Sequence, residues 1–315
     1  MLSPLCRRVT RAIQAFGSER SVQVGRSLIA LAQLSVLLLT SWSNLTPAIV
    51  GQRIAPHCVG VIQGSLFCLD HTPDALFARI GAVLACLLVI SGFVPAISGV
   101  LHAWVSFSLS SSIGLPDGGE SAAAVTTLII AFVLLRDWRW NAWRHGPSAG
   151  SSCALDGVAW GSWWILRLQM AFIYLESGLS KFGTDEWVNG SALYYVVRDP
   201  SFGASGPVGE IARSLTEIPI GTALLTWGTI ALEVAVGALL LGGPRARKVA
   251  LGLVIALHLG IIVLIGLWSF ATIMMGAVIV ATAPERGINQ HRQLLRLVTT
   301  KGGLPTTRPL PIPSG

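Results

Sequence analysis

Apolar residues along this chain gather into eight long runs, at about 27–45, 78–94, 96–113, 121–135, 159–180, 219–241, 249–266 and 269–283. Charged, proline- or glycine-bearing segments separate them. A helix that crosses a hydrocarbon layer about 30 Å thick needs roughly 20 residues, and in lipid a helix satisfies its own backbone hydrogen bonds. The pattern therefore predicts an all-α fold, a polytopic membrane bundle of about eight transmembrane helices. The last two runs are the hardest to separate, because Val249 to Ala283 is almost continuously apolar. Basic residues divide them. Arg245, Arg247 and Lys248 precede this stretch, and Arg286, Arg292, Arg296, Lys301 and Arg308 follow it. Positive flanks belong on the cytoplasmic side, so an even number of crossings lies between them and Gly266 to Ser269 is predicted to be a tight outer turn.

Composition strengthens this picture. Apolar residues make up 52% of the 315, charged residues only 12%, and the mean hydropathy is +0.67, which excludes a water-soluble domain of this length. The net charge of +7 points to topology, with no role for nucleic acid, because the cations flank apolar runs. With both termini inside (N-in, C-in), the inner segments hold sixteen Lys/Arg, whereas the outer ones hold Arg53, Arg198 and Arg213. The first run follows Arg7, Arg8, Arg11, Arg20 and Arg26 like the start of a signal peptide. It lacks an A-x-A type cleavage site and is long enough to span, so it is expected to be a retained helix. Three parts follow: a cytoplasmic amphipathic amino terminus (1–26), a transmembrane domain (27–283) and a basic cytoplasmic tail (284–315). Leu5 to Phe16 and Glu285 to Val298 are expected to lie on membrane lipid of the inner leaflet, and RDWRWNAWRH at 136–145 is expected to form an interfacial belt. Loops are expected outside at 46–77, 115–120 and 182–219.

Ionisable side chains inside a bilayer cost at least about 2.5 kcal/mol each and are default site candidates. Counting from helix ends puts Arg167, Glu233 and His258 at a common inner depth, with His102 beside them. This layer is expected to hold an Arg167–Glu233 pair, either as a site or as a polar clamp between helices. A second layer near the outer surface contains Glu176, Lys181, Asp117 and Glu120. Lys181 either snorkels or works chemically; with nineteen arginines and only three lysines in the chain, the choice of lysine is informative, because only an amine can become neutral near pH 7. Ser106, Ser108, Ser110, Ser111 and Ser112 read as close helix packing, and no metal-ligand spacing occurs. Cys58 and Cys68 flank VGVIQGSLF on the oxidising side and are the disulfide candidate, as a structural staple or as a redox-active pair. Cys6, Cys86 and Cys153 read as unpaired.

The residues LRLQ at 166–169, then Tyr174, Gly178, Lys181, Trp187 and Gly190, resemble the HTTM domain family, which includes the vitamin K-dependent gamma-glutamyl carboxylase. WGTIALEVAVGALLL at 227–241, His258, Gly266 and Phe270 continue the resemblance. GRSLIAL at 25–31, SLFCL at 65–69, GVLHAWVSFSLSSS at 99–112, DGGESAAAV at 117–125 and EWVNGSALYYV at 186–196 are similar to a narrower branch, the SdpB-type proteins of sporulation-delaying antimicrobial peptide systems. The carboxylase resemblance implies a base at Lys181 acting toward a membrane quinone, menaquinone being the bacterial candidate, with His258 and the acid Glu233 at matching positions; Arg167 and Glu176, singled out by their expected depth in the membrane, complete the candidate set. The resemblance does not extend to the large soluble domain that holds the carboxylase's peptide substrate, which is expected to be missing here, and Glu176 stands where the carboxylase has an apolar residue. The SdpB-type resemblance implies a multi-pass protein of the bacterial cell membrane that helps mature or export a peptide toxin, with the toxin precursor and a small SdpA-like protein as partners. A non-enzymatic transport or scaffold component, or an immunity component of the same system, is the alternative.

Overall fold

The computed structural model describes residues 20–46, 51, 55–112, 118–144, 152–200, 203 and 206–283. Among them no strand forms beyond an isolated bridge between Phe93 and Asn141. The longer helices are α1 (Arg20–Leu39), α2 (Leu76–Ser91), α3 (Pro95–Ser112), α4 (Gly118–Leu134), α5 (Cys153–Ser180), α6 (Gly206–Glu217), α7 (Pro219–Leu240), α8 (Pro244–Ile265) and α9 (Trp268–Ala281). All but α6 match the apolar runs. Four of the segments are long and apolar enough to cross a membrane: Arg20–Leu39, Pro73–Ser91, Pro219–Leu240 and Pro244–Ile265. The amphipathic stretches expected at 5–16 and 285–298, and Asp117, lie outside the described residues.

The first run is displaced from its expected place. Its helix begins at Arg20 and stops at Leu39, and a separate turn forms at Trp42–Leu45. Polar residues at its start are inside the bundle: Gln23 donates to the Val89 carbonyl at 2.8 Å, and the fully buried Arg26 donates to Ser98 Oγ at 2.7 Å. A hydropathy count treats such residues as flanks. The split of Val249 to Ala283 occurs where charge placed it, with Gly266 at φ +81° between α8 and α9, a conformation open to glycine at no steric cost.

The short helix α9 is the centre of the bundle. It packs against α1, α4, α5 and α8, and Ala271, Ile273, Met274, Ala277, Val278, Val280 and Ala281 along it are buried. Its closest neighbour is α1. A Cβ on Gly276 would lie 2.6 Å from the Gly25 carbonyl oxygen and 2.9 Å from Ile29 Cγ1, so the contact requires glycine. At one end of the bundle, Arg136–Asp156 at 3.0 Å and Arg139–Asp137 at 2.6 Å order the tryptophan-rich segment.

The opposite end is more elaborate than the loop expected over 182–219. The antiparallel helices α5 and α7 are staggered: Gly178, one turn from the end of α5, meets Glu233 and Val234 of α7. Glu233 lies fourteen residues into α7, so about 21 Å of that helix runs past the end of α5. Short helices at Asp185–Val188 and Ala192–Val196, together with α6, flank this part. Trp227 Nε1 donates to the Val188 carbonyl at 3.2 Å, and the Leu193 N–H to Thr226 Oγ1 at 3.2 Å.

Candidate functional site

Tyr174, Ser177 and Lys181 follow one another at i, i+3 and i+7 and so share a face of α5 and its last turn. That face meets Glu233 of α7 and His258 of α8. Lys181 Nζ lies 2.6 Å from Glu233 Oε2 and also donates to the Ser177 carbonyl at 2.9 Å and to Ser177 Oγ at 3.0 Å. All three N–H donors of an ammonium are thereby used. Ser177 Oγ in turn donates to Glu233 Oε1 at 3.1 Å, and the Trp187 ring lies 4.9 Å from Nζ. The two charged side chains are only 16% and 10% exposed. Two turns further into the bundle, Tyr174 Oη and His258 Nε2 are 2.7 Å apart and both residues are buried. Among the described residues His258 Nδ1 is buried without a hydrogen-bond partner, and Phe270 lies against its ring, centroids 5.5 Å apart. One wall of the bundle therefore carries an ammonium–carboxylate pair beside a phenol–imidazole pair, four groups able to hold or pass a proton.

The close approach of the two helices is a property of Gly178. A Cβ there would stand 2.8 Å from Val234 Cγ2 and 3.4 Å from Glu233 Cβ. Any larger residue would push α7 away from Lys181.

Of the residues expected from sequence, Lys181, Glu233 and His258 come together. Arg167 and Glu176 do not. The expected Arg167–Glu233 pair is replaced by Lys181–Glu233, because the stagger brings Glu233 level with the end of α5. Arg167 lies fourteen residues back along α5, about 21 Å away along its axis. There its guanidinium stacks 3.5 Å from the Trp163 ring centroid, and Nε donates to the Ala281 carbonyl at 3.3 Å. Glu176 is exposed on another face of α5, in line with the exposed Phe172 and Leu179. Ser177 was not singled out from sequence, and Tyr174 only as part of a family pattern; their spacing from Lys181 was the signal available.

His102 belongs to a separate buried seam between α1, α3 and α4. Gln33 is its hub: its Nε2 donates to Glu120 Oε2 at 2.9 Å and Ser106 Oγ at 3.1 Å, while its Oε1 lies 3.1 Å from His102 Nε2. Gln33, His102, Ser106 and Glu120 are all buried. Ser98, His102 and Ser106, at i, i+4 and i+8, are the α3 side of this seam. In the loop before α2, Cys58 and Cys68 form a disulfide with Cα atoms 5.6 Å apart, and Cys86 is a free, buried thiol. Asp70 accepts hydrogen bonds from Thr72 Oγ1 at 2.6 Å, from the Ala78 N–H at 2.7 Å and from the Thr72 N–H at 2.8 Å. These bonds, that from the Thr72 side chain foremost, hold its carboxyl below the ordinary aspartate value. Among the described residues no cluster of three or more His, Cys, Asp or Glu fit to hold a metal forms.

The HTTM domain matches residues 127–284, the part of the chain that contains Tyr174, Ser177, Lys181, Glu233 and His258. Over 280 residues the chain is 31% identical to YitO, an uncharacterized protein of Bacillus subtilis, covering 88% of this chain and 90% of that one. It is 29% identical, again over 280 residues, to the sporulation-delaying protein SdpB of the same organism, covering 88% of this chain and 86% of SdpB. No solved structure matches. A domain match over half the chain, joined to relatives aligned along nearly all of it, identifies the chain as a member of the HTTM family, of the SdpB type.

Proposed function

We propose that this protein is a multi-pass protein of the bacterial cell membrane that matures a secreted peptide toxin of the sporulation-delaying type, with Lys181–Glu233 as its chemical centre. The observation that carries this reading is the 2.6 Å contact between Lys181 and Glu233, held at the end of α5 by Ser177 and Gly178. The likeness to a sporulation-delaying protein supplies the peptide system. Eight crossings, by all the longer helices except α6, put both termini in the cytoplasm and the Lys181 end of the bundle toward the outside. The distribution of basic residues supports that orientation.

In the resting pair Lys181 Nζ directs one N–H proton at Glu233 Oε2 and its other two at the Ser177 carbonyl and Ser177 Oγ. To act as a base, Lys181 passes that proton to Glu233 Oε2 across the 2.6 Å contact, leaving a neutral amine and a neutral carboxylic acid. The amine then accepts a proton from an acidic O–H of the bound substrate. Ser177, bonded to both partners, holds them in register through the exchange. Tyr174 and His258 extend the same wall inward and provide a second site where a proton can be held. The donor set and the flanking Trp187 and Phe270 suit a membrane quinone in chemical type: when bound, its hydroquinone form would supply the acidic O–H. A small SdpA-like protein and the toxin precursor are the proposed partners, meeting the protein at its outer end.

The test is a producer strain whose only copy carries Lys181→Ala, assayed for the killing activity of its culture supernatant and for the amount of this protein in the membrane. The expected result is loss of active peptide from a protein that is still present in the membrane, the loss exceeding any fall in its amount. Glu176→Gln, on a different face of α5, is expected to leave activity intact. Full activity from Lys181→Ala would end the chemical reading and leave a transport or scaffold role.

A further inference from the structure

The helix α6 divides its surface into three sectors. At 100° per residue, Gly209, Ala212 and Thr216 fall within one third of the circumference, and all three are buried against the bundle, where α6 packs on α7 and α8. Val208, Ile211 and Leu215 fall within a second third and are 42%, 62% and 49% exposed. Glu210, Arg213, Ser214 and Glu217 occupy the last third. A helix on a protein in water places its large apolar residues inward and its polar ones outward. Here small residues face the protein and large ones face away from it, while a third, polar sector is kept apart from both. Such a division fits a place where protein, lipid and water meet.

The neighbours of α6 identify the apolar medium. Its stripe continues through Ile218 into Ile220, Leu224 and Trp227 of α7, which are 65%, 66% and 51% exposed and belong to a segment long and apolar enough to cross a membrane. The charged sector carries two acids and one base, so it offers no cationic attraction to lipid headgroups, and the apolar stripe has to supply the attachment. We propose that α6 is an interfacial helix seated in the outer leaflet, its Val208–Ile211–Leu215 stripe among the acyl chains and its Glu210–Ser214 side in water. This rests on the membrane orientation proposed above.

The anchor is tied to the cover of the Lys181–Glu233 pair. Arg198, at the end of the segment that carries Trp187, donates through Nη1 to Thr216 Oγ1 at 2.8 Å and to the Tyr194 carbonyl at 3.1 Å. Its Nη2 donates to the Arg213 carbonyl at 3.1 Å and lies 3.6 Å from Glu217 Oε1. Its guanidinium also lies 3.8 Å from the Tyr194 ring centroid. Residues 185–199 are thus fastened to α7 at Val188 and Leu193 and to α6 at Arg198, so the leaflet that seats α6 also positions the cover.

The experiment is nitroxide accessibility on the full chain in phosphatidylethanolamine–phosphatidylglycerol vesicles. Labels are placed singly at Val208→Cys, Ile211→Cys, Leu215→Cys, Glu210→Cys and Ser214→Cys, with Leu224→Cys on α7 as the membrane reference. Cys6, Cys86 and Cys153 are replaced and the disulfide kept. Collisions with oxygen report lipid, and collisions with a water-soluble nickel chelate report water. The expected result is an oxygen-to-nickel ratio at 208, 211 and 215 several-fold above that at 210 and 214 and approaching that at 224. Nickel access at 211 equal to that at 210, with 224 still in lipid, would overturn the placement of α6 while leaving the membrane reading intact. Protection of 211 from both reagents would also overturn it, in favour of a covering protein or second copy. Nickel access at 224 would remove the membrane placement of α7 and this proposal with it.

Discussion

Separating Lys181 from Glu233 has a cost that the structure makes unequal for the two partners. Lys181→Met leaves the Glu233 carboxylate with Ser177 Oγ at 3.1 Å as its remaining partner among the described residues. Glu233→Gln leaves the ammonium with the Ser177 carbonyl at 2.9 Å, Ser177 Oγ at 3.0 Å and the Trp187 ring. At 2.6 Å the gross attraction is about 6 kcal/mol for an effective dielectric of ~20, most of it offset by the cost of dehydrating both ions. Removing one member of a buried pair costs about 3–5 kcal/mol. Residual exposure and the Ser177 contacts reduce this to about 3 kcal/mol for Lys181→Met and about 1–2 kcal/mol for Glu233→Gln. The double variant buries no unpaired charge, so it is expected to cost less than the sum, with a coupling of about 2.5–3 kcal/mol. The assay is the thermal midpoint of the purified protein in lipid nanodiscs, where a loss of about 3 kcal/mol lowers the midpoint by on the order of 5 °C. The expected order is wild type, then Glu233→Gln and the double variant close together, then Lys181→Met. Strict additivity of the two single changes, or a Lys181→Met protein as stable as wild type, would refute the reasoning.

Gly178→Val places methyl groups where Val234 and Glu233 already stand and is expected to cost about 1–3 kcal/mol, with loss of peptide maturation; an unchanged midpoint in the same nanodisc assay would show that α5 and α7 do not approach as described. Gln33→Leu deprives Glu120, Ser106 and His102 of their shared partner and is expected to cost about 2–4 kcal/mol, read as a drop in thermal midpoint with no direct effect on the Lys181 pair. The Asp70 bonds stabilise a carboxylate whose folded-state pKa is depressed. Their contribution is therefore full above the unfolded aspartate value of about 3.9 and lost as the pH falls through the lower, folded value. The difference in midpoint between wild type and Asp70→Asn should accordingly be constant near neutrality and shrink toward pH 3; a difference that grows on acidification would contradict this.

The apolar runs located every long helix except α6, and basic residues alone separated α8 from α9 at Gly266. Relative depth, by contrast, is not legible in local sequence. Counting from helix ends assumes that neighbouring helices begin and end at the same levels, whereas α5 stops at Lys181 beside the fourteenth residue beyond the start of α7. That offset is set by Gly178 against Val234 and by Gly237 against Leu175, contacts between residues more than fifty positions apart that no local pattern records. The same offset explains why Glu233 was matched with Arg167. Gln33 escaped notice because an uncharged amide carries little weight in a search for charges, although Ser98, His102 and Ser106 at i, i+4 and i+8 marked the helix face it joins. Within the expected loop, Gly206, Pro207 and Gly209 resemble punctuation and hide α6, whose apolar positions at 208, 211 and 215 reveal a helix only at a period of 3.6.

Lys181→Arg tests the central claim most directly. A guanidinium keeps the positive charge and can still pair with Glu233, yet it does not give up its proton near neutral pH. A role in holding helices together survives that exchange, and a role as a base does not. In a producer strain, the Lys181→Arg protein is predicted to accumulate in the membrane at wild-type level and to keep a thermal midpoint close to wild type, while the killing activity of the supernatant falls to that of Lys181→Ala. Full killing activity from Lys181→Arg would contradict the account and leave the pair a structural clamp.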